Sequence, residues 1–481
     1  MRSLNLGVLG HVDSGKTTFT KRIAEIASTS AFDKHADSGG RRNTLDLGFS
    51  SLCINGYTLA LVDCPGHAAL IRAVLAASTV FDMAIVIIDA LNGIQAQTAE
   101  HLLLCKIFCP NKVIIVLNKI DLLNEGGSEL EKVKKNVRKG LKIMGISENS
   151  PIVEMSLDDK NFKVEYIENI KKVIEEKLFE PQREVEKPFL MAVDHCFPIK
   201  GKGTVFTGTV TQGTLNIGQE IEFASLKEIR KVKTIETWKV GTNKVEAGER
   251  AAILVANFDA ARFSRTIISS PGYLKPITQC LCKIDPIQFF RSNLTSKTKM
   301  HISIGFETIM AECQFLREFG DEFEQLDNME PPCMVWLNFE KPVFVNSEFE
   351  FLMASRLDQN GKGCRFAFRG FIEKSFEKDE KLRRFTKKHR TGFIDRLEKN
   401  SNSVICAGMF KPETNFEIFQ NMRIITDSNQ KIGRIEGAFG KSGKFRVTFQ
   451  DLEDLDEKMK ISLFMKKYLN DNSLVSYIPN E

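Results

Sequence analysis

Residues 10–18 of the chain read Gly10-His11-Val12-Asp13-Ser14-Gly15-Lys16-Thr17-Thr18. A short apolar segment, residues 4–9, precedes them, and residues 16–27 have a helical pattern. This is the G-x-x-x-x-G-K-[ST] pattern between a strand and a helix, where backbone N–H groups and the helix N-terminus surround phosphate groups. Lys16 is suited to the β- and γ-phosphates of a nucleotide, and the Thr17 hydroxyl is suited to Mg²⁺. We therefore predict a nucleotide site that includes Asp13, Ser14, Gly15, Lys16, Thr17 and Thr18.

A second motif follows the predicted strand at residues 58–62 and reads Asp63-Cys64-Pro65-Gly66-His67. An aspartate at the end of a strand can hold Mg²⁺ through water, and the Gly66 N–H can reach the γ-phosphate. This spacing predicts that Asp63 and Gly66 join the same nucleotide site.

A third motif, Asn118-Lys119-Ile120-Asp121, follows the predicted strand at residues 113–117. The Asp121 carboxylate can accept two hydrogen bonds from the N1–H and exocyclic amine of guanine, whereas adenine would leave it unpaired. Asn118 suits the other edge of the base, and the Lys119 stem can lie over the ring. Ser156 and Leu157 are candidates for the last loop that contacts the base. The pattern therefore predicts GTP or GDP as the nucleotide.

The first third of the chain alternates between strands and helices. We predict strands at 4–9, 58–62, 83–88, 113–117 and 151–155, and helices at 16–27, 67–77, 96–107, 129–144 and 164–177. This alternation is typical of a doubly wound α/β domain, which we place at residues 1–183.

The composition favours a soluble chain of several domains. A length of 481 residues suggests three or four domains, and 42% hydrophobic with 27% charged residues is ordinary for a globular protein. There is no apolar run long enough to span a membrane, and the N-terminus runs straight into a strand, so we expect neither an anchor nor a signal peptide. The 11 cysteines are scattered and no CxxC pairing suggests zinc, so we expect a reduced, cytoplasmic protein without structural metal. We also allow for a nuclear pool, and we assume a monomer.

The motifs at residues 10–17 and 63–67 resemble those of the translational GTPases, which are similar to elongation factor Tu. In that family the histidine that matches His67 positions the attacking water, so the resemblance implies a catalytic role for His67 and GTP hydrolysis to GDP and phosphate. Residues 189–218, rich in glycine and β-branched residues, resemble the second-domain β-barrel of these factors.

Four further segments resemble the eukaryotic selenocysteine-specific elongation factors: residues 31–34, 44–50, 193–197 and 439–445. The resemblance spans about residues 3–450. It implies an α/β P-loop GTPase domain (1–183), two β-barrel domains (184–273 and 274–372) and a basic, mostly-β, barrel-like fourth domain (373–481). It also implies GTP-dependent delivery of selenocysteinyl-tRNA to the ribosome, where UGA is recoded, with hydrolysis releasing the factor.

The resemblance implies a cargo pocket of an aspartate, a histidine and an arginine on the second domain. Asp194 and His195 match the first two, and we assign the arginine to Arg265, with Arg262 as the competitor. A selenol is anionic at neutral pH, so Arg265 would carry the complementary charge, His195 would add an N–H, and Asp194 could fix the histidine tautomer.

Residues 362–446 contain 20 Lys and Arg but 10 Asp and Glu residues, an excess of +10 against +5 for the whole chain. We expect RNA contacts from basic residues in two runs, namely Arg383, Arg384, Lys387, Lys388 and Arg390, and Lys441 and Lys444. The family's fourth domain reaches the tRNA and the machinery that reads the selenocysteine-insertion RNA element, so we expect a protein partner that binds this element. After Gln450 the chain becomes acidic, and we expect a helix or a loose tail there.

One segment departs from the family pattern. Where relatives carry Arg-Gly-Ile-Thr, this chain reads Arg41-Arg42-Asn43-Thr44. Thr44 can still bind Mg²⁺ beside Thr17 and Asp63, but Asn43 replaces an isoleucine that forms an apolar gate with a valine matching Val12. We expect altered basal hydrolysis or looser ordering of this switch segment.

Two alternatives compete with selenocysteine delivery. One is a general aminoacyl- or initiator-tRNA carrier, and the other is a GTP-binding scaffold with slow turnover. The basic fourth domain, the Asp194–His195 pair with Arg265 and the lack of zinc-type cysteines argue against the general carrier. The scaffold is opposed by the intact residues Lys16, Thr17, Thr44, Asp63 and His67.

Overall fold

The computed structural model describes residues 2–27, 47–123, 128–262, 266–346, 350–358, 363–376, 382–398, 401–469 and 473–477. The predicted fold class is confirmed: an α/β domain is followed by β-barrels and a mostly-β C-terminal region. No helix in these ranges is long and apolar enough to cross a membrane.

The first domain contains a seven-stranded sheet in the order β2-β3-β4-β1-β5-β6-β7. Its elements are β1 (Arg2–Gly10), α1 (Lys16–Ile23), β2 (Ile26–Ala27), β3 (Gly48–Ile54), β4 (Tyr57–Asp63), α2 (Ile71–Ser78), β5 (Met83–Asp89), α3 (Ala96–Phe108), β6 (Val113–Asn118), α4 (Ser128–Met144), β7 (Ile152–Glu154) and α5 (Val164–Glu176). Strands β4, β1, β5, β6 and β7 are parallel, so the loops after them open on one edge of the sheet. β4, β5 and β6 are buried throughout because helices cover both faces.

The first helix is shorter than predicted. It ends at Ile23, and residues 26–27 pair antiparallel with Ser50 and Ser51 of β3. Sheet pairing therefore replaces the last helical turn expected from the residue pattern.

The second domain is a closed barrel. Its strands are β8 (Leu190–Ile199), β9 (Gly203–Gln212), β10 (Thr214–Asn216), β11 (Glu220–Phe223), β12 (Glu228–Thr237), β13 (Val240–Thr242), β14 (Lys244–Glu246), β15 (Arg250–Val255) and β16 (Ile267–Ser269). The order β11-β16-β8-β9-β15-β12 is closed by pairing of β12 with β11. Phe206, Phe223 and Phe258 pack on one another in its core.

The third domain is a second barrel. It contains β17 (Lys275–Pro286), β18 (Thr298–Ile304), β19 (Glu307–Phe319), β20 (Glu322–Gln325), β21 (Met334–Val345), β22 (Phe351–Ser355) and β23 (Phe366–Phe376). Pairing of β18 with β19 closes the ring. β23 continues to Phe376, so the predicted boundary at residue 372 falls inside this strand.

The fourth domain contains β24 (Arg384–Glu398), β25 (Ser403–Ala407), β26 (Arg423–Thr426), β27 (Ile432–Phe439), β28 (Lys444–Phe449), β29 (Lys460–Tyr468) and β30 (Leu474–Ser476). The expectation of a helix or loose tail after Gln450 is wrong. β29 pairs with β24 from Phe385 to Phe393 and closes this barrel, because its own residues alternate between the core and the surface.

The third and fourth domains share a sheet. β20 pairs in parallel with the start of β24, at Phe323 with Arg384 and at Glu324 with Phe385. The Glu322 carboxylate accepts hydrogen bonds from the Tyr468 hydroxyl (2.7 Å) and the Lys466 ammonium (3.0 Å). These contacts hold the basic domain against the third barrel.

Candidate nucleotide and cargo sites

The loop between β1 and α1 forms the floor of the nucleotide site. Lys16 is buried, and its Nζ donates to the His11 carbonyl at 2.5 Å. Burial lowers the pKa of Lys16, although the nearby Asp63 charge opposes this effect. Gly15 has a φ of 99°, and a Cβ there would lie 2.4 Å from Asn118 Nδ2. The loop is thus closed around the lysine, with Asp13 and Thr18 exposed at its rim.

The second motif packs directly on this loop. A Cβ on Gly66 would lie 2.5 Å from Lys16 Nζ and 2.8 Å from the Val12 nitrogen. The Thr17 hydroxyl donates to Asp63 Oδ2 at 2.8 Å. Burial raises the pKa of Asp63 to about 6, and its Oδ1 has no hydrogen-bond partner among the described residues. A buried carboxylate with one unpaired oxygen beside a threonine hydroxyl suits a small hard cation.

His67 begins the 3-10 turn Ala68–Leu70 that leads into α2. Its Nδ1 accepts a hydrogen bond from the Ala69 N–H at 3.2 Å, and its side chain is exposed. The imidazole therefore caps the turn at the mouth of the site.

The third motif ties three loops together. Asn118, the last residue of β6, donates from Nδ2 to the Ser14 carbonyl at 2.9 Å and accepts at Oδ1 from the Leu157 N–H at 3.1 Å. Its amide thus holds the phosphate loop and the loop after β7, and the predicted contact of Asn118 with the base stays a prediction. Ser156 is buried beside it.

Lys119 and Asp121 lie at the base-binding end. Lys119 adopts a φ of 65° and its Nζ bonds to Asp89 Oδ2 at 2.7 Å. Burial opposes ionisation of Asp89, but the hydrogen bonds from Lys119 and its neighbours hold the pKa of Asp89 below its ordinary value. Asp121 is exposed and accepts from Asn161 Nδ2 at 3.2 Å, so a base would replace a single weak contact.

Sequence reasoning missed His101 of α3. It is fully buried, and its Nδ1 accepts from the Gly10 N–H at 3.1 Å. Burial lowers its pKa to about 3, so it is neutral and fixes the first residue of the phosphate loop. The pair Glu100-His101 inside an apolar helix was the signal that could have identified it.

The second barrel brings Asp194 and His195 together with an arginine that the sequence analysis did not select. Arg250, the first residue of β15, forms a bidentate pair with Asp194, at 2.6 Å from Nη1 to Oδ2 and 2.8 Å from Nη2 to Oδ1. Asp194 Oδ1 lies 2.8 Å from His195 Nδ1 and accepts from the Thr207 hydroxyl at 2.9 Å. Burial alone would raise the pKa of Asp194, but the Arg250 charge and these bonds hold it below its ordinary value.

The first domain contributes Phe49 to this cluster. The Arg250 guanidinium carbon lies 3.2 Å from the centre of the Phe49 ring, and the His195 ring meets the edge of Phe49 with centroids 6.1 Å apart. Phe49 belongs to β3. This strand follows residues 41–44 in the chain, the segment whose sequence differs from the family pattern. The cluster is therefore assembled from two domains.

Of the two arginines proposed from the sequence, Arg262 lies away from Asp194 and Arg265 falls outside the described residues. Arg262 is 52% exposed and pairs with Glu228. Arg265 lies outside the described residues, as do Arg42, Asn43 and Thr44. Among the described arginines, Arg250 is the one that contacts Asp194.

A cavity of about 420 Å³ opens beside Arg250 on the same barrel. Its walls combine apolar, aromatic and charged side chains, which include Phe197, Val205, Leu254, Trp238, Glu236 and Lys202. This mixture suits a heteroaromatic group that carries a sugar and an anionic linkage.

The basic residues proposed for RNA contact fall into two groups. Arg383 forms an ion pair with Glu322, Lys387 with Glu324 and Lys444 with Asp395. Arg384 donates a hydrogen bond to Gln314. These four cations therefore already have partners within the protein. Lys388 and Lys441 are exposed, and the Arg390 guanidinium lies over the Phe410 and Phe419 rings. Lys388 and Lys441 are thus the best placed for phosphate groups.

Three family models match the chain. Residues 1–220 match the elongation factor Tu GTP-binding domain, and residues 281–333 match the third domain of eukaryotic selenocysteine-specific elongation factors. Residues 380–474 match the eEFSec C-terminal RIFT domain.

Relatives and solved structures agree with these matches. The chain is 33% identical to the selenocysteine-specific elongation factor of Mus musculus over 92% of its length and 88% of the mouse protein. Identity to the factor of Methanocaldococcus jannaschii is 28%, over 97% of this chain and 98% of that protein. The crystal structure of elongation factor SelB from Methanococcus maripaludis with the GTP analogue GppNHp superposes with a TM-score of 0.79 at 28% identity, covering 99% of each chain. The chain therefore belongs to the selenocysteine-specific elongation factors, translational GTPases whose GTP-binding domain is of the elongation factor Tu type.

Proposed function

We propose that this protein binds selenocysteinyl-tRNA in its GTP state, delivers it to the ribosome for UGA recoding, and is released when GTP is hydrolysed. The observation that carries the proposal is the buried cluster of Asp194, His195 and Arg250, which lies beside a cavity large enough for the end of a tRNA.

The charges of this cluster favour an anionic cargo. Arg250 neutralises Asp194, so the aspartate can orient His195 without repelling a selenolate. The imidazole Nδ1 faces Asp194, which directs its other nitrogen away from the carboxylate. A serine hydroxyl on the same tRNA is neutral and gains less from a donor in a site of this kind.

The adjacent cavity accounts for the rest of the aminoacyl end. Trp238 and the apolar wall of Phe197, Val205 and Leu254 suit a terminal adenine, and Lys202 suits the backbone phosphate next to it. The cargo and the base would then lie on opposite sides of Arg250.

Phe49 connects the nucleotide-binding domain to the cluster of Asp194, His195 and Arg250. It covers Arg250 from the first domain, and it follows segment 41–44, in which Thr44 would contact the metal ion of bound GTP. Phe49 also pairs with Val62 of β4, the strand that ends at Asp63, so one strand pair links the cargo cluster to the nucleotide site.

Mg²⁺ fits the nucleotide site. Thr17 and Asp63, the latter through water, and Thr44 would hold it, and the unpaired Asp63 Oδ1 supports this assignment. The ion would neutralise charge on the β- and γ-phosphates. Lys16 would bind the same phosphates, and His67 would orient the attacking water, as the family resemblance implies.

The remaining partners are the ribosome and a protein that binds the selenocysteine-insertion RNA element. The basic fourth domain supports contact with RNA through Lys388 and Lys441. We place the protein in the cytoplasm, because ribosomes translate there, and we take it to be a monomer.

A reconstituted translation assay tests this function. The template carries an in-frame UGA codon and the insertion element, and full-length product is measured with selenocysteinyl-tRNA as the sole suppressor. We expect product with wild-type protein and GTP, and none with Lys16→Ala or with GDP. Product that forms equally well without the factor would contradict the proposal.

A further inference from the structure

Arg365 of the third domain reaches into the first domain beside the turn that carries His67. The residue immediately precedes β23 and is buried, as is its partner Glu100 on α3. Arg365 Nε lies 2.8 Å from Glu100 Oε1, and Nη2 lies 2.5 Å from Oε2. The remaining nitrogen, Nη1, donates to the Ala68 carbonyl at 2.8 Å.

The third contact places Arg365 one residue from His67. Ala68 is the first residue of the 3-10 turn that His67 caps through the Ala69 N–H. The turn is therefore held from two sides, by the imidazole at its start and by a guanidinium from another domain. An ion pair that only joined two domains would not require the bond to Ala68.

Glu100 has a second connection to the nucleotide site. The next residue, His101, accepts a hydrogen bond from the Gly10 N–H at the start of the phosphate loop. Arg365 thus contacts the His67 turn directly, and it fixes the helix that supports the phosphate loop. Both contacts require the third barrel to be docked on α3.

We propose that Arg365 is a positioning residue for GTP hydrolysis, which orients the His67 turn through the Ala68 carbonyl. Docking of the third domain then becomes a condition for ribosome-stimulated turnover. This inference rests on the proposed role of His67, which the single variant His67→Ala tests separately: unchanged hydrolysis in that variant removes both claims, whereas lost hydrolysis leaves Arg365 to be tested.

The main variant is Glu100→Gln/Arg365→Met, which removes the guanidinium without leaving a buried lone carboxylate. Ribosome-stimulated hydrolysis is measured with selenocysteinyl-tRNA bound. We expect kcat to fall about tenfold or more, in the range of a misplaced catalytic histidine, with KM for ribosomes and Kd for GTP within threefold of wild type. Glu100→Gln alone keeps the Ala68 contact, so its kcat should lie above that of the double variant.

Three further variants separate positioning from a structural role. Arg365→Lys keeps a donor and should restore part of kcat. Arg369→Met removes an exposed pair between β23 and Asp285 of the neighbouring strand β17, and should change nothing. In a His67→Ala background the Arg365 change should have no further effect on kcat, because both act on one step.

A wild-type kcat in the folded double variant, or additive losses with His67→Ala, would overturn the proposal. If the double variant does not fold, Arg365→Lys carries the test. A wild-type kcat/KM at every pH in that variant would overturn the proposal. A lowered kcat at unchanged KM would support the proposal.

Discussion

Arg250 and Asp194 form a bidentate ion pair inside the second barrel, with side chains that are 7% and 2% exposed. The pair joins the start of β15 to β8 across 56 positions of sequence. It places a compensated carboxylate behind His195, and so would give the proposed cargo site a donor without a net negative charge.

Loss of Arg250 should destabilise the second barrel. Arg250→Met leaves the Asp194 carboxylate buried without its main partner, which costs about 3–5 kcal/mol in the free energy of unfolding. Asp194→Asn/Arg250→Met removes the lone charge and should recover at least half of that loss. Urea unfolding, followed by Trp238 fluorescence in a Trp336→Phe background, measures both.

The exposed pair of Arg262 and Glu228 is the matched control. Arg262→Met should change the free energy of unfolding by less than about 1 kcal/mol, because solvent screens this pair. Equal costs for Arg250→Met and Arg262→Met would show that the Arg250 pair is not buried as described.

Gly15→Ala should abolish nucleotide binding. The new Cβ would stand 2.4 Å from Asn118 Nδ2 at a φ of 99°, so the phosphate loop would have to open. We expect Kd for a fluorescent GTP analogue to rise at least about 100-fold, since the loop's N–H groups would no longer converge on the phosphates.

Gly56→Ala controls for backbone strain alone. Gly56 also has a positive φ, 77°, but a Cβ there meets nothing within 4 Å. Its GTP affinity should stay within threefold of wild type. A Gly15→Ala protein that binds the analogue with wild-type affinity would contradict the loop geometry.

The nucleotide site was predictable because its chemistry is carried by short motifs. Lys16, Thr17 and Asp63 each belong to a run of adjacent residues at a strand end, and the parallel sheet brings those ends together. The Thr17–Asp63 bond follows from this topology.

Arg250 could not be predicted in the same way. Its partner lies on another strand, and the contact depends on the register of β8, β9 and β15 in a closed barrel. Nothing near Gly248-Glu249-Arg250 in the sequence marks the arginine as buried. The assignment of the cargo arginine to Arg265, which lies outside the described residues, stays a prediction.

The C-terminal strands show a related limit. The acidic residues at 451–457 suggested a helix or tail, but they lie in the connection before β29, which is fixed by its pairing with β24. Pairing between distant strands is set by the whole barrel, so a local charge run does not reveal it.

His101 should make the first domain less stable in acid. Its pKa falls from 6.5 to about 3 on folding, so the unfolded state binds more protons below pH 6.5, and stability is lost as the pH drops towards 3. Between pH 7.5 and 5.5 this loss is on the order of 1 kcal/mol. Hydrogen exchange of β1 amides, corrected for intrinsic rates, measures it.

His101→Gln keeps an acceptor for the Gly10 N–H but does not titrate. The pH dependence of β1 exchange should therefore shrink by about that amount. His389→Gln, in the fourth domain, should leave it unchanged. If His101→Gln retains the full wild-type pH dependence, another group is responsible.

Exposed and internally paired cations of the fourth domain should differ in their effect on tRNA affinity. Lys388→Gln and Lys441→Gln should each weaken binding and reduce the slope of log Kd against log salt by about 1. Lys444→Gln should do less, because its ammonium is paired with Asp395 at 2.7 Å. Equal slopes for all three variants and the wild type would place the RNA surface elsewhere.

The central claim, that the second barrel selects an anionic selenol through His195 and Arg250, is tested most directly by a ratio of dissociation constants. The same tRNA is charged with selenocysteine or serine and titrated against the GTP-bound protein at pH 7.5. We predict that the selenocysteinyl form binds at least about tenfold more tightly, the effect of one charge-assisted hydrogen bond. A ratio within threefold of unity would contradict the account.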